Sequence, residues 1–168
     1  MTDAVLWADD DGHESFEYES DMLRTAGFEV AWAQNVADAL SILTERPVAA
    51  VLLDQMLPVV PIRRQPNDVE SWSGCLLLHW LRGIPMPETA PEEARRSFEE
   101  IIEQRRPHEH NRTVPVQIVS AYFDEAVAAA IDALGTERIR ENEIIAKPVD
   151  ELLLQEFVDG LKAQRNGA

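Results

Sequence analysis

Cysteine is nearly missing from this chain of 168 residues, with Cys75 the single example. One thiol excludes an intramolecular disulfide and suits a reducing compartment. Its place in an apolar helical stretch marks it as a buried structural thiol. Cations are also scarce. Lys and Arg number 15 against 31 Asp and Glu, giving a net charge of −16. So acidic a chain repels nucleic acid and anionic membrane, which argues against direct DNA binding. No apolar run approaches the roughly 18 residues that span a bilayer. No cationic segment followed by an apolar one is visible near residue 1. The expected location is the cytoplasm. Aromatic residues make up only 7% of the chain, so Val, Leu, Ile and Ala must carry the core, and a hydrophobic fraction of 45% is enough for one. The length fits one domain with insertions. No internal repeat or low-complexity tract is visible.

What is present alternates. Residues 4–8, 28–33, 49–53, 114–119 and 143–146 read as strands. Between and after them, residues 14–26, a segment capped by Asn35, 74–82, a segment around Val127–Leu134 and a last one around Leu154–Leu161 read as helices. Gly27 is placed to end the first helix in a left-handed cap, and Asn35 is an N-cap for the second. The strands are continuously apolar, as burial on both faces requires. Five strand–helix repeats predict a parallel sheet with helices on both sides. Two stretches break the alternation. Residues 58–73 read as a long loop rich in proline and charge. Residues 84–113 hold an extra helix at 91–106, opened by Pro91-Glu92-Glu93 and lined on one face by Ala94, Phe98, Ile101 and Ile102. That face either packs on the domain itself or serves a dimer or partner. His108 and His110 read as loop residues, since a spacing of two does not suit a helix-borne metal pair.

The charged residues that matter sit at strand ends. Asp9-Asp10-Asp11 follow the first strand, Asp54 follows the third and Lys147-Pro148 follow the fifth. In an open α/β sheet, sites form at the carboxyl ends of the strands. Three carboxylates and an ammonium brought together there read as a magnesium site beside a nucleophilic aspartate. Mg²⁺ is a hard cation that takes a few carboxylates plus water and shares its other positions with phosphate. Asp10 and Asp54 are the expected ligands, with Asp9 acting through water and the backbone carbonyl of Met56 adding an oxygen. Asp54 is the expected nucleophile, forming an acyl phosphate. Lys147 pairs with it and with the phosphoryl group, and the Ser120 hydroxyl donates to a phosphoryl oxygen. Asp11 reads as a loop residue or helix cap, and His13 as a spectator.

Asp9-Asp10, Asp54 in Leu53-Asp54-Gln55-Met56-Leu57-Pro58, Ser120-Ala121 and Lys147-Pro148, in that order, resemble the receiver domain of two-component response regulators. The resemblance covers most of the chain outside the two insertions. It implies a flavodoxin-like sheet of strand order 2-1-3-4-5, with the extra helix between the third helix and the fourth strand. It implies a cis Lys147–Pro148 bond and movement of Ser120 toward a new phosphate. The phosphoryl donor would be a histidine kinase or a histidine-containing phosphotransfer protein. With no output domain expected beyond residue 168, signalling would run through a downstream protein partner, a phosphate-sink role or a homodimer. The chemistry would be self-phosphorylation and self-dephosphorylation, not turnover of a substrate.

The chain also departs from this pattern. Ile144 stands where receivers usually carry an aromatic residue, which puts their switch in doubt. Met56 and Tyr122 flank the acceptor and would slow attack by water. Arg63 and Arg64, in the long loop, either stay in solvent or close over the phosphate. Two other functions compete. A phosphorylation-independent interaction module on the same scaffold would bind through the insertions. A phosphatase of the haloacid dehalogenase type would need a second aspartate where Met56 stands.

Overall fold

A computed structural model describes residues 3–59, 67–121, 125–132 and 145–167. Its elements run β1 (Ala4–Ala8), α1 (Glu17–Thr25), β2 (Glu29–Ala33), α2 (Val36–Glu45), β3 (Ala50–Leu53), α3 (Asn67–Arg82), α4 (Glu92–Ile102), β4 (Val116–Ser120), α5 (Glu125–Asp132), β5 (Ile145–Ala146) and α6 (Glu151–Gly167). Single 3₁₀ turns precede α1 at His13–Phe16 and β4 at Glu109–Thr113. The strands form one parallel sheet of order β2-β1-β3-β4-β5. This is the order the resemblance implied.

The alternation of side chains along each strand divides the core in two. Val5 and Trp7 of β1 join Ala50 and Leu52 of β3 on the face covered by α1 and α6, with Leu23, Phe157 and Leu161 above them. Leu6, Ala8, Val51 and Leu53 point the other way, into the larger cluster beneath α2, α3 and α4. β1 and β3 are buried along their whole length, so neither face tolerates a polar residue. Asn35 caps α2 as expected, accepting from the Asp38 backbone N–H at 2.9 Å. Gly27 has a positive φ of 86° just past α1.

Two of the boundary differences from the sequence reading bear on the site and the insertion. The helix expected at 74–82 begins at Asn67, so residues 67–73 belong to α3 and not to the loop. Glycine usually opens or closes a helix, but Gly74 lies inside this one because the β3–α3 backbone passes against it. Its amide donates to the Gln55 carbonyl at 3.1 Å, and a β-carbon there would stand 2.5 Å from the Asp54 carbonyl oxygen. The extra helix is also shorter than 91–106, ending at Ile102.

α4 packs on its own domain. Ala94 and Phe98 are fully buried in the larger cluster, and Ile101 and Ile102 lie against it. The segment after it is sewn to α2. Arg105 donates to the Ala37 carbonyl and the Ser41 hydroxyl. Buried Asn111 donates to the Leu43 and Arg46 carbonyls and accepts from the Val48 amide at 2.8 Å. His108 and His110 are exposed on this segment. Trp72 is buried in α3, as expected of an anchor. Cys75 is fully buried and unpaired, and burial pushes its thiol up to about 12. No helix among the described residues is long and apolar enough to cross a membrane.

Candidate active site

β1, β3 and β4 end at the same edge of the sheet, and each delivers a polar residue there directly from a buried strand. Asp9 follows β1, Asp54 follows β3, and Ser120 closes β4. Lys147 follows β5, and its bond to Pro148 is cis. Asp9, Asp54 and Ser120 are buried, whereas Asp10 is exposed.

Lys147 organises the cluster. Its ammonium lies 2.5 Å from Asp54 Oδ2, 2.9 Å from Asp9 Oδ1 and 3.2 Å from Asp11 Oδ2. The Phe16 ring lies beneath the same ammonium, 5.5 Å from nitrogen to ring centre. Burial works against this charge, but the hydrogen bonds and fields of Asp54 and Asp9 outweigh it and raise the Lys147 pKa. Asp54 is held from its other oxygen too. Ser120 Oγ donates to Asp54 Oδ1 at 2.8 Å, and the Met56 amide donates to the same oxygen at 3.0 Å. The Asp54 carboxylate is thus fixed by three donors from three segments.

The acidic side of the cluster is under tension. Burial pushes the Asp9 carboxyl up to about 6, and the Asp54 charge adds to this, against the opposing pull of Lys147. Burial also raises Asp10, helped by the charges of Asp54 and Asp11. Asp9 Oδ2 is buried with no hydrogen-bond partner among the described residues. Such an atom costs about 1–3 kcal/mol unless something satisfies it. Oxygens of Asp9, Asp10 and Asp54 lie within 4.8 Å of one another. An all-carboxylate donor set with an unsatisfied buried oxygen fits a hard divalent cation of the Mg²⁺ class.

The structure therefore gathers Asp9, Asp10, Asp54, Ser120 and Lys147 as the sequence suggested. Asp11 is an exposed loop residue, one of the two readings the sequence allowed, and Gly12 takes the cap position; its carboxylate also pairs with Lys147. Tyr122, Ile144, Arg63 and Arg64 lie outside the described residues. Two contributors went unread in the sequence. Phe16 was legible only as an apolar residue after the acidic run. Ser73 in α3 caps the loop after Asp54, its hydroxyl accepting from the Leu57 amide at 2.8 Å. A serine beside a glycine in a presumed loop gave no signal of this.

No protein-family model matches the sequence, and no curated protein sequence does either. Solved structures do match. A putative response regulator from Chloroflexus aurantiacus superposes with a TM-score of 0.59 at 22% identity, covering 97% of this chain and 99% of that one. A CheY-like response regulator receiver domain from Methanospirillum hungatei gives 0.59 at 18% identity, over the whole of both chains. The signal receiver domain of a histidine kinase from Syntrophus aciditrophicus gives 0.58 at 17% identity, covering 97% of this chain and 92% of that one. The architecture built here from β1 to α6 is the flavodoxin-like fold of response-regulator receiver domains.

Proposed function

We propose that this protein is a phosphoryl-accepting receiver of two-component signalling, with Asp54 as the acceptor. The observation that carries this reading is the clamp on Asp54. Lys147 holds Oδ2 while Ser120 and the Met56 amide hold Oδ1, beside two further carboxylates. A carboxylate oriented from both oxygens is set for in-line attack, and phosphoryl transfer depends mainly on positioning and charge. In the proposed reaction an Asp54 oxygen attacks phosphorus, the bond from phosphorus to a donor histidine nitrogen breaks, and an acyl phosphate forms. Lys147 pairs with a phosphoryl oxygen, and Ser120 turns its hydroxyl from the carboxylate to the phosphate. Asp9, Asp10, Asp54 and the Met56 backbone carbonyl would hold Mg²⁺. When bound, that ion neutralises charge on the transferring oxygens.

The donor would be a histidine kinase or a histidine phosphotransfer protein, and the readout a protein–protein contact in the cytoplasm. We do not assign substrate turnover. A dehalogenase-type phosphatase requires a second aspartate two residues after the nucleophile, and Met56 stands there. The test is intact mass after incubation with Mg²⁺ and acetyl phosphate. Wild type should gain about 80 Da, and Asp54→Asn should gain nothing. Equal gain in both proteins would remove Asp54 as acceptor. No gain in either, with Mg²⁺ binding verified separately, would favour the phosphorylation-independent module.

A further inference from the structure

The insertion builds a second candidate site, far along α3 from Asp54. Between the last turn of α3, the 83–87 segment, α4 and the 106–112 segment lies a groove of about 370 Å³. Its apolar lining comes from Trp80, Ile84, Pro85, Met86, Ile102 and Pro107. Gly83, Ile84, Pro85, Glu99, Arg106 and Arg112 among its lining residues are exposed, so it is an open trough and not an enclosed chamber. Ile84 is one of three large hydrophobic residues exposed among the described residues.

Its walls are tied down by side chains from one turn of helix. His79, itself buried, shares a hydrogen bond of 2.7 Å with the Pro85 carbonyl. Trp80 donates its indole N–H to the Arg105 carbonyl at 3.4 Å. Arg82 donates to the Arg112 carbonyl at 2.9 Å and to the Val114 carbonyl at 2.7 Å. Each tether ends on backbone, so the trough keeps its shape before anything enters it. A preorganised surface spends less free energy on ordering when a partner binds.

Its charge is out of character for the molecule. In a chain with 31 acids against 15 cations, Arg106 and Arg112 flank the trough without an ion-pair partner among the described residues. The Arg106 side chain donates only to the neighbouring Arg105 carbonyl. The one acid lining the trough, Glu99, pairs with neither among the described residues. Unpaired guanidinium groups beside exposed apolar side chains suit an extended ligand with apolar anchors and carboxylates. An open trough of this volume takes two or three side chains, which favours a peptide over a small molecule that would need enclosure.

We propose that this groove docks an acidic peptide segment of a partner protein, with apolar side chains in the trough and carboxylates on Arg106 and Arg112. The site does not depend on the chemistry at Asp54, and its failure is distinguishable from a failure there. The probe is an array of ten-residue peptides carrying a Trp-Leu or Leu-Leu pair flanked by Asp and Glu at every spacing. A matched array carries Asn and Gln instead. Binding by full-length protein should favour the acidic array at least tenfold and weaken with added salt. It should fall at least tenfold in R106E/R112E and separately in Ile84→Asp. Both variants should still gain one phosphoryl group from acetyl phosphate if the Asp54 reading holds, and circular dichroism should report intact folding. Amide shifts of the best peptide's complex should map to residues 83–86 and 99–112. Equal binding to both arrays, or acidic binding that survives both variants, would overturn the proposal. So would saturation of the trough by indole-3-acetate when no array peptide binds, because the groove would then be a small-molecule pocket.

Discussion

The middle and the last turn of α3 hold their surroundings by opposite means. At its midpoint, Ser73 and Gly74 secure the loop after Asp54 through their smallness, bringing helix backbone against the backbone of Asp54 and Gln55. In its last turn, His79, Trp80 and Arg82 reach outward with long side chains to carbonyls of the insertion. The middle tolerates no added atom at Gly74, whereas the last turn depends on large groups. The loop after Asp54 is thus secured by close approach, and an added segment by side-chain tethers that leave an open groove.

Breaking the far end should have the largest effect on stability. Trp80→Ala removes a buried ring from the larger core and a tether to Arg105, and should cost about 3–5 kcal/mol. Urea denaturation should show this, while acetyl phosphate labelling of Asp54 continues under native conditions. Crowding the middle of α3 should cost labelling as well as stability. Gly74→Val puts a branched side chain where a β-carbon alone would stand 2.8 Å from the Gln55 Cα. We expect about 3 kcal/mol of destabilisation together with loss of most labelling, because the Asp54 backbone must move. Labelling that survived Gly74→Val would mean that close approach does not position the acceptor.

Electrostatics sharpen the contrast. Asp9 is raised from 3.8 to about 6 in the folded protein. A carboxyl raised on folding favours the folded state below its unfolded pKa, and that contribution is lost as pH rises through the folded value. Metal-free protein should therefore lose about 2 kcal/mol between pH 4 and pH 7 from this group. Asp9→Asn should flatten that part of the pH–stability curve, and an unchanged slope would remove Asp9 as its source. The smallest effect concerns Gln55, which is buried with both side-chain polar atoms unpartnered in the protein. Gln55→Met should raise stability by about 1 kcal/mol, read as a rise in melting temperature. A fall would place a hydrogen-bonded water on that amide.

How legible each region was follows from the range of its interactions. The strands were readable because burial on both faces forces unbroken apolar runs, and Val5–Ala8 and Val51–Leu53 have no polar interruption. Asp9, Asp10, Asp54, Ser120 and Lys147 could be assigned because each sits where such a run stops. The start of α3 was misplaced because Gly74 carries a local meaning, helix boundary, that a neighbouring backbone overrides. The ion pair of Asp11 went unread because its partner, Lys147, is 136 residues away.

The sequence by itself determined the parallel sheet, the edge at which the charged residues emerge and the acidic surface, since these depend on local pattern and composition. Only the tertiary structure decided that α4 closes the domain's own core, that Lys147 bridges three carboxylates, and that α3 clamps the loop after Asp54 at its middle and shapes a groove at its last turn. Those outcomes depend on distances between segments far apart in the chain, which no local pattern encodes.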